Sequence, residues 1–217
     1  TSGTSGTSGT SGTSGTSGTS GTSGTSGARG TLNWTPNFSG GTAYGSNSNT
    51  FVKNSGTDGY NGQVYSSESY TKGVYVSAKS LNTGSDIYFG LNSDPTTNAA
   101  NSSIDYAWRF DPVNGGTLKI YESGSFLGTI ATYTTSDVLA ITYDGYQVKY
   151  LKNGAVERTV TVNITNSLYF DSSFYYVNSN HGLTNVTFGP MGPVGGDGTS
   201  GTSGTSGTSG TDGTSGT

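Results

Sequence analysis

The sequence predicts an all-β fold: a two-layer antiparallel β-sandwich or jelly roll, flanked by two tracts with glycine at every third position. Three observations carry this. Tyrosine (15) and phenylalanine (8) are abundant beside Val, Ile and Thr, residues that fit a pleated, half-buried surface. Short apolar–polar alternations are punctuated by Gly, Asn, Asp and Pro. No segment repeats its apolar residues at helical spacing over a useful length.

From Thr1 to Gly27 the triplet Thr-Ser-Gly repeats without a fault, and Gly30 keeps its register. The period returns from Gly189 to Gly216, opening with GPMGPVGGDGTSG. The chain therefore divides into a tract at 1–30, a domain at 31–188 and a second tract at 189–217. Gly-Pro-X triplets are collagen material, because three polyproline-II-like strands meet at an axis that only glycine fits. Here the filling is Thr and Ser, which do not preset φ as proline does, so an isolated triple helix of such triplets is marginal. Two remedies are open. Trimerisation by the domain would raise the effective concentration of the strands. Dense O-glycosylation, for example of Thr4, Ser5, Thr7, Ser8, Thr199, Ser200, Thr202 and Ser203, would stiffen them. A plain linker is the remaining reading, but a linker has no need of period three. Extended, such a tract reaches about 80 Å. The chain starts at Thr and both ends stop inside a repeat, so it reads as a segment of a longer polypeptide.

Within the domain, VLAITYDGYQVKYLKNGAVERTVTV (138–162) predicts a three-stranded antiparallel meander. Leu139, Ile141 and Tyr143 alternate on one face, and Val148 and Tyr150 on the returning strand. Asp144-Gly145 and Asn153-Gly154 supply the residues of tight hairpin turns. Strands are also expected at Gly73–Leu81, Ser85–Leu91, Asp105–Phe110, Thr117–Ser123, Ser167–Val177 and Leu183–Gly189. Around a dozen short strands in this length indicate two packed sheets. Trp34, close to the first tract, is placed to pack at the base of the domain.

Net charge is −4, only 10% of residues are charged, and Lys and Arg form no run, so the electrostatic footprint of nucleic-acid binding is missing. No stretch approaches the 18 or so apolar residues of a membrane span. Without cysteine there is no disulfide, thiolate metal site or Cys nucleophile. The single histidine, His181, lies in NSNHGLTN and reads as a solvated loop residue.

The run IYFGLNSDPTTNAANSSIDYAWRF, then GTLKIYESG, LAITYDGYQVKYLKNGAVERTV and a closing DSSF…NVTFGP, resembles a concanavalin A-like lectin/glucanase (laminin-G-like) jelly roll. The resemblance covers most of 31–188, and the YDGxxVxYxxNG double hairpin is its best motif. Such domains accompany collagen-like repeats in phage tail-fibre-type and giant-virus surface proteins. The resemblance implies the fold; function has to come from the site.

Glucanases of this type carry a Glu-x-Asp-x-x-Glu pattern, and the three glutamates here (Glu68, Glu122, Glu157) do not form one, so no enzyme is expected. Asp94, Asp105 and Asp111 flank the Trp108 segment. They are the Ca2+ candidates, although turn formation explains them equally well. Tyr106 and Trp108, which share a strand face, and Tyr175 and Tyr176, which point oppositely, are the candidate glycan-stacking rings. Sequons at Asn33, Asn37, Asn101, Asn163 and Asn185 are unsurprising in so Asn/Ser/Thr-rich a chain. The expected protein is a non-enzymatic, extracellular or virion-surface fibre, a homotrimer whose sandwich registers the stalk and binds surface carbohydrate. Its rivals are the protomer of a heavily O-glycosylated filament, an ice-binding Thr array and a glycan depolymerase.

Overall fold

The computed structural model describes residues 34–97 and 99–191. The tract residues Thr4, Ser5, Thr7, Ser8, Thr199, Ser200, Thr202 and Ser203 lie outside the described residues.

Alternation of apolar and polar side chains builds two seven-stranded antiparallel sheets. The first runs β1 (Pro36–Ser39), β4 (Gly62–Ser66), β13 (Tyr169–Phe174), β6 (Ile87–Asn92), β7 (Tyr106–Asp111), β8 (Thr117–Glu122), β9 (Ser125–Thr132). The second runs β12 (Ala155–Thr161), β11 (Gln147–Lys152), β10 (Leu139–Tyr143), β5 (Val74–Ser80), β14 (Gly182–Pro190), β3 (Phe51–Lys53), β2 (Thr42–Tyr44). Two short 3-10 turns, Asn101–Ser103 and Val113–Gly115, complete the described elements. The expected all-β sandwich is what forms.

The inward phase of each strand fills one core. Phe89, Trp108, Phe110 and Phe170 come from the first sheet and meet Val76, Ile141, Tyr150 and Phe188 from the second. Each such side chain removed from water stabilises the fold by about 1.5–3 kcal/mol. Both open sides are latched. Arg158 on β12 grips Glu122 on β8 in a two-point contact at 2.9 and 3.3 Å. On the opposite side, the Thr42 hydroxyl donates to the Gln63 carbonyl at 2.6 Å.

The predicted meander is β10–β11–β12 in sequence order. Its second turn is the two-residue Asn153-Gly154 expected, with both φ positive (51° and 86°). The first turn differs. Three residues, 144–146, connect β10 and β11, and only Gly145 has positive φ (104°). Asp144 Oδ1 accepts the backbone N–H groups of Tyr146 and Gln147 at 2.8 and 2.6 Å, so its side chain replaces the tight turn.

Trp34 packs edge-on against Phe51 and Phe170, with centroids 5.5 and 5.0 Å apart, closing the base of the core as expected. Both ends of the described chain meet the connection 67–73. Ser67 N–H donates to the Thr35 carbonyl at 2.9 Å, and Met191 N–H donates to that of Gly73. β14 continues to Pro190. Gly189 and Pro190 pair with Tyr75 and Val74 at the end of β14, where a proline's missing N–H is tolerated.

Candidate functional site

On the outer face of the first sheet, the polar phase of the strands is not open to solvent. The described parts of the β6–β7 connection, 93–97 and 99–105, fold back over it, with Pro95 and Ile104 buried. Gln63 Nε2 on β4 donates to the Pro95 carbonyl at 2.7 Å, and Ser173 Oγ on β13 donates to that of Ala99 at 2.8 Å. Ser93 N–H donates to Asp105 Oδ2 at 2.8 Å, tying the start of the connection to its end.

Beneath this roof lies Asp171, 1% exposed. Its Oδ1 accepts Gln63 Nε2 at 2.9 Å and its own neighbour Ser172 N–H at 2.7 Å, while Oδ2 accepts Asn92 Nδ2 at 2.7 Å. Burial pushes the carboxyl up to about 7, against the three donors, which favour the charged form.

Between the roof and the β1–β4–β13 edge is a groove of about 450 Å3. Tyr65 and Tyr169 supply its rings, Asn37, Ser67, Ser93 and Thr96 its amide and hydroxyl groups, and Asp94 its carboxylate. Asn37 Nδ2 donates to Ser67 Oγ at 2.8 Å, and the Thr97 hydroxyl donates to Asp94 Oδ2 at 3.0 Å. Asp94 N–H donates to Asn92 Oδ1 at 3.2 Å, so Asn92 joins the groove wall to Asp171. Aromatic rings beside amide, hydroxyl and carboxylate groups suit a polyhydroxylated ligand with one apolar face.

Further along the same face, Arg109 meets Asp86 in a two-point contact at 2.9 and 3.0 Å. Tyr60 donates to the same carboxylate at 2.6 Å; burial, then this bond, raise its phenol above the usual range. The rings of Tyr60, Tyr88, Tyr121 and Tyr175 pack edge to face here, at 4.9–5.2 Å. Rings turned edge-on to one another make a roof over the sheet, not a coplanar stacking platform.

The expected aromatic residues are dispersed. Trp108 is fully buried and its Nε1 donates to the Ala140 carbonyl, so it presents no face to a ligand. Tyr106 shares its face, as alternation requires, but that face looks into the core. Tyr175 and Tyr176 lie together, half-buried, with centroids 5.0 Å apart, instead of pointing oppositely. The groove rings, Tyr65 and Tyr169, are not among those four candidates. The signal was available: each is an aromatic residue in the outward phase of a strand whose Val64 or Phe170 points inward.

The Ca2+ candidates do not converge. Asp111 is buried against Lys119 and Arg109, Asp105 accepts Ser93 N–H, and Asp94 lines the groove. Among the described residues no group of three or more His, Asp or Glu side chains is placed to hold a metal ion. The glutamates are scattered: Glu68 accepts from Thr35, Glu122 grips Arg158, and Glu157 is exposed on β12. His181 is half-exposed beside Tyr176, at 5.4 Å. Among the described residues, no helix is long and apolar enough to cross a membrane.

No protein-family model matches the sequence, and no curated protein matches it. Solved structures do. The potassium-bound form of the Emp46p carbohydrate recognition domain superposes with a TM-score of 0.51 at 14% identity, over 74% of this chain and 89% of that one. The Ca2+/Man-bound exoplasmic/lumenal domain of VIP36 gives 0.50 at 11% identity, over 71% and 82%. The domain shares with these structures a fold of two packed antiparallel β-sheets. Stonustoxin also contains this arrangement, at TM-score 0.50 and 14% identity, with 70% of this chain covered; the chain spans 28% of that protein's length. At such identities the likeness shows the fold alone.

Proposed function

We propose that the β-sandwich is a non-catalytic glycan-binding module of an extracellular fibre, and that its ligand occupies the groove between Tyr65, Tyr169 and Asp94. The observation that carries this reading is the groove's composition: two half-buried rings, several amide and hydroxyl groups and one carboxylate in about 450 Å3. Among the described residues of the lining Asp94 is the only charged side chain, so the ligand is an uncharged or amino sugar. An acidic sugar would meet like charge with no cation to offset it. Neighbours whose names declare carbohydrate recognition support the reading through fold. Hydrolysis is disfavoured because Asp171, the carboxyl raised toward neutrality, is enclosed and has both oxygens engaged.

The Gly-every-third tracts support the fibre part of the proposal, with three chains in register and the virion or cell surface as the site of use. Binding is tested by a glycan array on the purified chain, repeated with Tyr65→Ala and Tyr169→Ala. Retention of an uncharged glycan by wild type and its loss in both variants is expected; unchanged retention in both would overturn the assignment. Electron microscopy of the full chain should show three chains per cross-section, and one or two would remove the trimer.

A second reading is the protomer of a self-assembling filament. It is favoured by β9, an uncharged edge strand (SFLGTIAT) with Phe126 and Leu127 exposed.

A further inference from the structure

The polar network under the groove contains one carboxyl surrounded by donors. Gln63 Nε2, Asn92 Nδ2 and the Ser172 N–H all point at Asp171. An ionised carboxylate satisfies all three. A protonated one carries a hydrogen that needs an acceptor, and none of these three groups is one. The backbone N–H cannot turn round. The two amides can, by exchanging O for N, but each already has a second duty. Gln63 Nε2 also holds the Pro95 carbonyl, and Asn92 Oδ1 also holds the Asp94 N–H. Turning Gln63 releases Pro95, and turning Asn92 releases Asp94. Either rearrangement loosens the segment 93–97 that walls the groove.

We propose that the 93–97 segment is a proton-operated lid: ionised Asp171 holds it down, and protonation of Asp171 releases it and weakens ligand retention in acid. The ligand half of this statement rests on the glycan reading above; the lid half does not. Among the described residues, the groups that bond Asp171 include no cation. From β4 come Gln63 and, directly across, Tyr65; from β6 come Gly90, directly across, and Asn92. β13 itself adds Tyr169, and the connection adds Asp94, whose negative charge favours proton uptake by Asp171 over proton loss. Burial places the group's titration near neutrality, within reach of ordinary pH changes.

The absence of cysteine permits a single label. Thr96→Cys, exposed on the lid, is coupled to a nitroxide and its mobility followed from pH 4.5 to 8.5 without ligand. A single step near neutrality is expected, mobile on the acid side, coinciding with the Asp171 carboxyl titration read by carbon-13 NMR. Asp171→Asn, an uncharged mimic of the protonated form, should be mobile throughout. If that variant fails to fold, coincidence of the two wild-type titrations decides. A label indifferent to pH, or a step that does not track the Asp171 resonance, overturns the lid. A glycan array empty at every pH would remove the binding reading while leaving the lid step to stand or fall on the label. Where a glycan is retained, its affinity should fall at least tenfold from pH 8 to pH 5.

Discussion

Trp108 donates its indole N–H to the carbonyl of Ala140 at 3.0 Å, a single bond that joins β7 of one sheet to β10 of the other. The ring is fully buried and stands edge-on to Tyr150, with centroids 5.6 Å apart. Trp108→Ala should destabilise the domain by about 3–5 kcal/mol, since it opens a cavity and orphans the Ala140 carbonyl. Trp108→Phe should cost about half as much. Urea unfolding measures both, and glycan retention by the folded fraction should be unchanged. Loss of retention at full stability would put Trp108 back among binding residues.

The same strand shows the limit of alternation as a guide to which face is buried. Alternation placed Tyr106 and Trp108 on one face, but a pattern of period two does not say which face is inside when both phases hold large residues. In YAWRFD the inward phase is Tyr-Trp-Phe and the outward phase Ala-Arg-Asp. The outward Arg and Asp settle the matter once all six positions are weighed together. The meander was legible because turn residues and alternation agreed. The groove was not, because Tyr65, Asp94 and Tyr169 are brought together by strand order β4–β13–β6 and by a connection that folds back, and no local pattern encodes either.

Lys53 is enclosed, and its ammonium donates to the carbonyls of Thr57, Gly59 and Tyr175 and to Asn61 Oδ1, at 2.5–3.2 Å. This one cation gathers the 54–61 connection onto the end of β13. Lys53→Met keeps the stem but leaves those oxygens without their donor, at about 1–3 kcal/mol for each that finds no water. A total loss of about 3 kcal/mol is expected, together with chymotryptic cleavage at Tyr60 under conditions where wild type resists. Resistance equal to wild type would show that the connection holds without the ammonium.

Stability should vary with pH in two directions. Asp171 binds its proton more tightly folded than unfolded, since burial raises it from about 4 to about 7. Between those values the folded state holds the extra proton, so its contribution is present in acid and is lost as pH rises through 7, on the order of 4 kcal/mol in all. Asp111 works oppositely. Burial acts to raise it, but Lys119, the Val113 N–H and Arg109 hold it below the usual carboxylate range. Its contribution is present above about pH 4 and lost below. Urea midpoints should therefore peak in mild acid and decline toward pH 8, and Asp171→Asn should flatten the decline. A midpoint that rises from pH 5 to 8 in wild type would contradict the burial argument.

The edge strand β9 separates the two proposed functions. Edge strands are commonly blunted by charge, proline or a bulge. β9 has no charge or proline, but its pairing with β8 shifts register twice, between Leu118 and Lys119 and between Ile120 and Tyr121. Such shifts bend a strand away from a flat partner. If they suffice, β9 is a protected edge, and Leu127→Lys leaves the sedimentation behaviour of the full chain unchanged. If β9 is the filament contact, the buried lysine of each new pairing is unpaired, and Leu127→Lys should lower self-association at least tenfold. Sedimentation velocity across a hundredfold concentration range reads the difference. Because the groove lies at the opposite edge of the sheet, along β1, β4 and β13, glycan retention should survive the substitution in either case.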